Sequence, residues 1–237
     1  NNIFLIKLLY DNAESQVTTD GKRNSIINGI PDWVYEEEFS TNRSMVFTAD
    51  SKQIVWIKYD ESKVKEFTFP WFKGANPSRD EYLTYPGSYV YKYPKAGEDN
   101  SKVAVYSFDI KSRKTRKMEV PLDEDGYIPR ITMTSDPTKV AVFTMNRHQD
   151  DMRIYMVNPL TTIAKLAVQD KVEKYVKQEA MCAVTFTDNH ILVPSDREGF
   201  THLYLYTLNG QLKRRVTKGN FEVTEVYGMD EKTGDVY

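Results

Sequence analysis

The chain has 237 residues, of which 40% are hydrophobic and 13% aromatic, so it can bury a sizeable core and is not expected to be disordered. Its 32 basic and 34 acidic residues leave a net charge of −2, which provides no positive field for a nucleic acid partner. The single cysteine, Cys182, cannot form an internal disulfide, and the three histidines lack metal-ligand spacing, so neither a metal nor a cofactor is predicted.

Short apolar runs rich in Tyr and Phe predict strands from the start of the chain and argue against long or membrane-spanning helices. Residues 3–6 and 17–19 have the pattern of two outer strands of a sheet. The chain begins at Asn1 without an initiator Met or an apolar targeting segment, so a piece of a longer protein is expected.

The next feature is an acidic run inside residues 32–39, which read DWVYEEEF. Glu36, Glu37 and Glu38 adjoin aromatic and apolar residues that favour burial, so some of these carboxylates are expected to face an enclosed space. An enclosed acidic pair would bind a cation. The alternative for such a charge run is a solvated face of a helix or loop.

A four-stranded unit begins at residues 45–50 and 54–58, and its later strands are predicted at 103–108 and 116–120. Residues 60–97 interrupt it as an insertion, which we call the arm. The arm carries too many aromatic side chains for a surface loop that packs on nothing. They are Phe67, Phe69, Trp71, Phe72, Tyr82, Tyr85, Tyr89, Tyr91 and Tyr93.

Internal repetition predicts the architecture of the remaining chain. Residues 131–134 (ITMT) align with residues 184–187 (VTFT) at an offset of 53 residues, and each is followed by three more short strands. Turn signals such as Ser135-Asp136-Pro137 and Asn209-Gly210 separate the strands. Consecutive four-stranded antiparallel units are typical of the blades of a β-propeller.

We therefore predict an all-β chain that forms an arc of a larger β-propeller, with the aromatic-rich arm inserted. Residues 1–28 would end one blade, residues 29–121 would form a blade with the arm, and residues 127–168 and 180–218 would form two further blades. Residues 219–237 would start the next blade. A β-sandwich is the alternative, because short regular strands suit both architectures.

Residues 32–39 resemble the double-glutamate motif of the dipeptidyl peptidase IV family, which are serine exopeptidases of the prolyl oligopeptidase type. The resemblance recurs, in the order found in that family, across nearly the whole chain, at residues 59–64, 92–97, 127–131, 146–149 and 196–204. It implies that the chain is part of the N-terminal propeller of an enzyme that releases X-Pro or X-Ala dipeptides from peptide N-termini.

The resemblance also implies roles for the acidic run. Glu37 and Glu38 would bind the α-ammonium group of the substrate, and Trp33, Tyr35 and Glu36 would support them. With the amino group held in place, the carbonyl that reaches a nucleophile at a fixed distance would belong to the second residue, which explains a dipeptide product.

No catalytic residue is assigned within the chain, because no Gly-x-Ser-x-Gly nucleophile elbow occurs in it. The resemblance implies that the Ser, Asp and His triad lies in an α/β-hydrolase domain outside this chain, so the chain alone should be inactive. The alternative function is a non-catalytic propeller that serves as a binding scaffold for proteins or peptides.

The resemblance further implies a homodimer formed through the arm, residues 60–97, with packing of the arm on its own propeller as the alternative. By analogy with the family, the parent protein would be periplasmic, secreted or on the cell surface.

Overall fold

The computed structural model describes residues 1–72 and 85–237, and nearly all of its regular structure consists of antiparallel strands. The prediction of an all-β, propeller-like chain is therefore confirmed. Tyr82 and the rest of the arm between residues 73 and 84 lie outside the described residues.

Seventeen strands and two short helices occur in the described part of the chain. In chain order they are β1 Phe4–Lys7, β2 Ala13–Gln16, β3 Ile26–Asn28, α1 Trp33–Glu38, β4 Met45–Phe47, β5 Gln53–Asp60, β6 Glu66–Trp71, β7 Gly87–Lys92, β8 Lys102–Asp109, β9 Lys114–Lys117, β10 Tyr127–Met133, β11 Val140–Met145, β12 Asp151–Val157, β13 Ala164–Lys171, α2 Gln178–Cys182, β14 Thr185–Phe186, β15 His190–Ser195, β16 His202–Thr207 and β17 Leu212–Arg215.

Two sheets have the simple up-and-down order that the repeat predicts. One has the order β10-β11-β12-β13 and the other β14-β15-β16-β17, with every neighbouring pair antiparallel. All six residues of β11 are buried, as expected for a strand with protein on both of its faces. Phe143 of β11 contacts Phe186 of β14 edge-to-face at 6.1 Å between ring centroids, so the two sheets share one core.

Gly210 shows why the turn after β16 needs glycine. Its φ of +98° lies in the left-handed region, and a Cβ atom there would lie 2.9 Å from the carbonyl oxygen of Ala167 in the neighbouring sheet. The turn therefore serves both the hairpin and the close approach of two sheets.

The third sheet differs from the predicted four strands because it has five. Both β3 and β4 pair with the same edge of β5, and β8 and β9 complete the sheet. The physical reason is length, since β5 has eight residues and β4 covers only three of them. β3 pairs with the other half of that edge.

The arm leaves this sheet between β5 and β8 as an antiparallel hairpin of β6 and β7. Phe67 pairs with Tyr91 and Phe69 pairs with Tyr89, so aromatic rings face one another along the hairpin.

The two ends of the chain carry less regular structure. β1 and β2 form a two-stranded sheet. Residues 219–237 contain only an isolated bridge between Met229 and Val236, and they pack on Leu192, Leu203 and Leu205. Neither of the helices described here has the length and apolar character of a membrane span.

Candidate amino-group site

The acidic run lies on α1, a helix of only six residues. Asp32 is its N-cap, and the Asp32 carboxylate accepts a hydrogen bond from the backbone N–H of Tyr35 at 3.0 Å. A helix of this length is not stable alone in water, so its position depends on tertiary contacts.

Burial along α1 does not follow the expectation from the sequence. Val34, Tyr35 and the following Phe39 are buried, whereas Glu36, Glu37 and Glu38 are all exposed. The expected enclosure of the glutamates is therefore wrong for this structure. A helix buries only one stripe of its surface, and the apolar and aromatic residues occupy that stripe.

Tyr35 joins α1 to the neighbouring sheet. Its hydroxyl accepts a hydrogen bond from the backbone N–H of Ile128 in β10 at 3.0 Å. Its ring, 1% exposed, lies 4.9 Å from the ring of Tyr59 and 6.0 Å from that of Tyr127. Burial raises the pKa of Tyr35 well above its ordinary value, so the hydroxyl stays neutral.

Asp32 joins α1 to the sheet from which the arm leaves. Its second carboxylate oxygen accepts a hydrogen bond from the Ser101 hydroxyl at 2.5 Å, and both side chains are buried. Burial raises the pKa of Asp32, and the hydrogen bonds from Ser101 and Tyr35 oppose that rise.

The exposed face of α1 borders two clefts. A cleft of about 740 Å³, which we call the acidic cleft, is lined by Glu36 and Glu37 together with Asp32 and Glu61. Three basic side chains share it, namely Lys22, Arg23 and Lys92. Burial is the largest cause that raises the pKa of Glu61, followed by the nearby Asp32 carboxylate.

A second cleft of about 480 Å³, which we call the mixed cleft, is lined by Glu38 together with Lys95 and Arg147. Trp33 lines both clefts, and its ring lies 4.1 Å from the ring of Tyr93 at the base of the arm. The structure thus assigns Glu37 and Glu38, adjacent in sequence, to two different clefts.

Sequence reasoning missed the contributions of Asp32, Ser101 and Glu61 to this region. The helix-start signal at Asp32, a carboxylate just before the run, could have identified it as the N-cap. Ser101 lies 69 residues from Asp32 in the sequence, and no local pattern connects them.

Among residues 1–72 and 85–237, no group of three or more His, Cys, Asp and Glu side chains is arranged to hold a metal ion. One histidine, His202, is fully buried and bonds to Thr217 and to the carbonyl oxygen of Gly219 at 3.0 Å each. The two clefts themselves are lined by carboxylates and basic side chains.

Comparisons with known proteins agree with the resemblance seen in the sequence. Residues 1–237 match the family described as "Dipeptidyl peptidase IV (DPP IV) N-terminal region". The crystal structure of Porphyromonas gingivalis dipeptidyl peptidase 4 superposes on the whole chain with a TM-score of 0.91 and 41% sequence identity, and the match covers 32% of that protein.

Two curated relatives are the dipeptidyl peptidases 4 of Trichophyton equinum and Trichophyton rubrum. They are 25% and 26% identical to this chain over 97% of its length, and the match covers 30% of each relative. The chain thus spans about a third of the length of the proteins that it matches.

Proposed function

This chain belongs to the family of dipeptidyl peptidase IV N-terminal regions, and on that premise we propose that it binds the free amino group of peptide substrates for a serine exopeptidase. The parent enzyme would release X-Pro or X-Ala dipeptides. The observation that carries the proposal is the row Glu36, Glu37 and Glu38, exposed on a helix that is itself anchored by buried contacts.

The electrostatics favour an ammonium ligand. Opposite unit charges about 4 Å apart attract by roughly 4 kcal/mol at an effective dielectric constant of about 20, before desolvation is counted. Glu37 and Glu38 border different clefts, so the proposed site is the exposed edge of α1 between the two clefts. There an ammonium group would donate hydrogen bonds to both carboxylates.

We propose that this chain binds the substrate and that another domain of the parent protein carries out the hydrolysis. It has no nucleophile elbow, so the Ser, Asp and His triad would be supplied by an α/β-hydrolase domain of the parent protein. The distance between the amino-group site and that nucleophile would set the length of the released peptide.

The deciding experiment compares an X-Pro peptide with its N-acetylated twin as substrates of the full-length protein. Loss of cleavage on acetylation supports an amino-terminal anchor. Equal cleavage of both contradicts it, and cleavage of neither favours the non-catalytic scaffold.

Substitutions of Glu37 and Glu38 test whether these two residues bind the amino group of the substrate. Glu37→Gln and Glu38→Gln should each lower kcat/KM for the free-amine peptide by roughly 10- to 150-fold, which corresponds to about 1.5 to 3 kcal/mol for a hydrogen bond to a charged group. Glu14→Gln, an equal charge change on exposed β2, is the matched control and should have no effect. Unchanged kinetics in both α1 variants would refute the role of the pair.

We also propose that the arm contacts a second copy of the parent protein. The arm is joined to its own chain by Trp33 against Tyr93 and by Arg23 over the ring of Tyr89 at 5.7 Å, yet its outer aromatics stay exposed. Trp71 is 50% exposed and Tyr85 80%. Exposed aromatic clusters of this kind mark interaction surfaces.

Deletion of residues 66–93 from the full-length protein tests the arm. Sedimentation should show a monomer at concentrations where the parent is a dimer. A dimer of unchanged affinity would support the alternative that the arm packs on its own propeller.

A further inference from the structure

The position of α1 depends on its tertiary contacts, both the apolar side chains that it buries in the core and a few specific polar and aromatic contacts. A six-residue helix does not hold its own orientation, so the side chains that tie it to the sheets decide where its exposed carboxylates lie. Tyr35 ties it to Ile128 of the next sheet. Asp32 and Trp33 make two other contacts, and both of these are to residues 93–101. We call these residues the return segment, because they include the end of the arm and lead to β8.

The contact between Asp32 and Ser101 is the more direct of the two. One oxygen of the Asp32 carboxylate caps the first turn of α1 at the N–H of Tyr35, and the other accepts the Ser101 hydroxyl at 2.5 Å. Asp32 is 6% exposed and Ser101 5% exposed. A single buried carboxylate therefore links the start of the helix to the start of β8.

The residues on both sides of Ser101 contact residues 125–127. The side-chain amide of Asn100 donates a hydrogen bond to the Tyr127 hydroxyl at 2.9 Å, and Lys102 forms an ion pair with Asp125 at 2.8 Å. Ser101 thus presents its hydroxyl to Asp32 from a buried position between two residues that contact the start of the next sheet.

The second contact is made by Trp33, the first residue of α1. The Trp33 ring lies 4.1 Å from the Tyr93 ring and lines both the acidic cleft and the mixed cleft. A shift of Trp33 would therefore change the walls of both clefts, the one beside Glu37 and the one beside Glu38.

We propose that Ser101 and Tyr93 are positioning residues for the amino-group site. They act through Asp32 and Trp33 on the orientation of α1 and do not contact the substrate themselves. This inference rests on the proposed function. Its consequence is that loss of the Ser101 hydroxyl weakens discrimination for a free amino group while leaving the hydrolytic chemistry in place, because a misplacement of about 1 Å is enough to impair binding geometry.

The test uses Ser101→Ala in the full-length protein with Ser107→Ala as the matched control. Ser107 lies on β8, the strand that begins directly after Ser101, and it is also buried. It donates its hydroxyl to the carbonyl oxygen of Pro159 at 2.7 Å, far along the sequence from α1. Each variant loses one buried hydrogen bond. Both should lower the melting temperature by a similar amount.

The readout is the ratio of kcat/KM for an X-Pro peptide to kcat/KM for its N-acetylated twin. Ser101→Ala should lower this ratio roughly tenfold, mainly through KM for the free-amine peptide, whereas Ser107→Ala should leave it at the wild-type value. A purely structural role for Ser101 would lower activity on both peptides together and leave the ratio unchanged, which would overturn the inference.

Tyr93 provides a second, independent pair of variants. Tyr93→Phe keeps the ring against Trp33 and should keep the ratio, whereas Tyr93→Leu should lower it. If Ser101→Ala does not fold, this pair decides the question, and equal ratios in the two Tyr93 variants overturn the inference. A wild-type ratio near one would instead show that the amino group is not anchored, so that both the proposed function and the inference fail.

Discussion

Two sheets of the chain are both antiparallel but differ in the connections between their strands. The uninterrupted sheet consists of β10 to β13, and the interrupted sheet consists of β3, β4, β5, β8 and β9. Short turns join the strands of the first sheet, and every residue of its strand β11 is buried. The second sheet has α1 before β4 and the arm between β5 and β8. Its central strand β5 is nearly as buried as β11, yet its inserted elements expose charges and aromatic rings.

The difference separates the part of the chain that forms the core from the part for which we propose binding roles. Buried strands supply the core that both sheets share, and the added connections carry the exposed side chains that we propose as binding surfaces. A mutation in the strands or on the buried face of α1 should therefore affect unfolding most, and a mutation on the exposed face of α1 or in the arm should affect recognition most. The following predictions test that separation, beginning with the largest expected effect.

Phe143→Ala in β11 should lower the free energy of unfolding of the full-length protein by about 3 to 5 kcal/mol, because it removes a fully buried ring. Phe67→Ala in the arm should cost about 1.5 kcal/mol or less, because this ring contacts mainly the other aromatic rings of the hairpin. Urea denaturation measures both. Equal losses would show that the arm is as much a part of the core as β11.

Tyr35→Phe should cost about 1 to 3 kcal/mol, because it leaves the buried N–H of Ile128 without its acceptor. Tyr59→Phe is the matched control. Tyr59 is equally buried, but its partner at 2.6 Å is the Ser44 hydroxyl, which can rotate toward another acceptor. The same denaturation experiment should show the smaller loss for Tyr59→Phe, and the reverse order would contradict the anchoring role of Tyr35.

Glu231 should stabilise the folded protein near neutral pH, and this contribution should be lost in acid. Its carboxylate accepts hydrogen bonds from the Thr187 hydroxyl and from Asn189 and bonds to Nδ1 of His190, and these contacts lower its pKa from 4.5 to about 2. The stability from Glu231 is therefore present above pH 4.5 and is lost as the pH falls through about 2.

Melting temperatures of wild type and Glu231→Gln between pH 6 and pH 2 measure this effect. The wild type should have the higher melting temperature at pH 6, and the difference between the two melting temperatures should decrease as the pH falls. A difference that stays constant would show that the charge of Glu231 makes no contribution.

The contribution of Asp32 to folding stability should change with pH in the opposite direction to that of Glu231. It should also be the smallest of the effects predicted here. Burial raises its pKa above the ordinary value of 3.8, so its favourable contribution is present below that value and is lost as the pH rises through the folded-state pKa. Asp32→Asn keeps an acceptor for the N–H of Tyr35. The melting temperature of wild type relative to this variant should fall as the pH rises from 3 to 7, and a rise would contradict the assignment.

Several features of the fold could be predicted because their signals are local. The repeat that aligns residues 131–134 with 184–187 and the turn residues between them depend on periods and dihedral preferences that a few neighbouring residues set. The pairing of β3 with β5 was missed, because it joins Ile26 to Asp60 across α1 and β4. A three-residue strand carries too little pattern to reveal its partner.

The candidate site likewise has features that the local sequence predicts and features that it does not. The acidic residues of α1 were found from the sequence alone, because three carboxylates beside Trp33 and Tyr35 form a recognisable pattern. Their exposure was not predicted, because burial on a short helix depends on which face the surrounding sheets cover.

The sequence by itself therefore determined the strand content, the repeating sheets and the acidic run for which we propose a role in binding an amino group. Only the tertiary structure decided that Asp32 meets Ser101, that Trp33 meets Tyr93, and that Glu37 and Glu38 border separate clefts. The reason is physical, since propensity and periodicity act over a few residues, whereas a side-chain contact between residues 69 positions apart exists only after the sheets have packed.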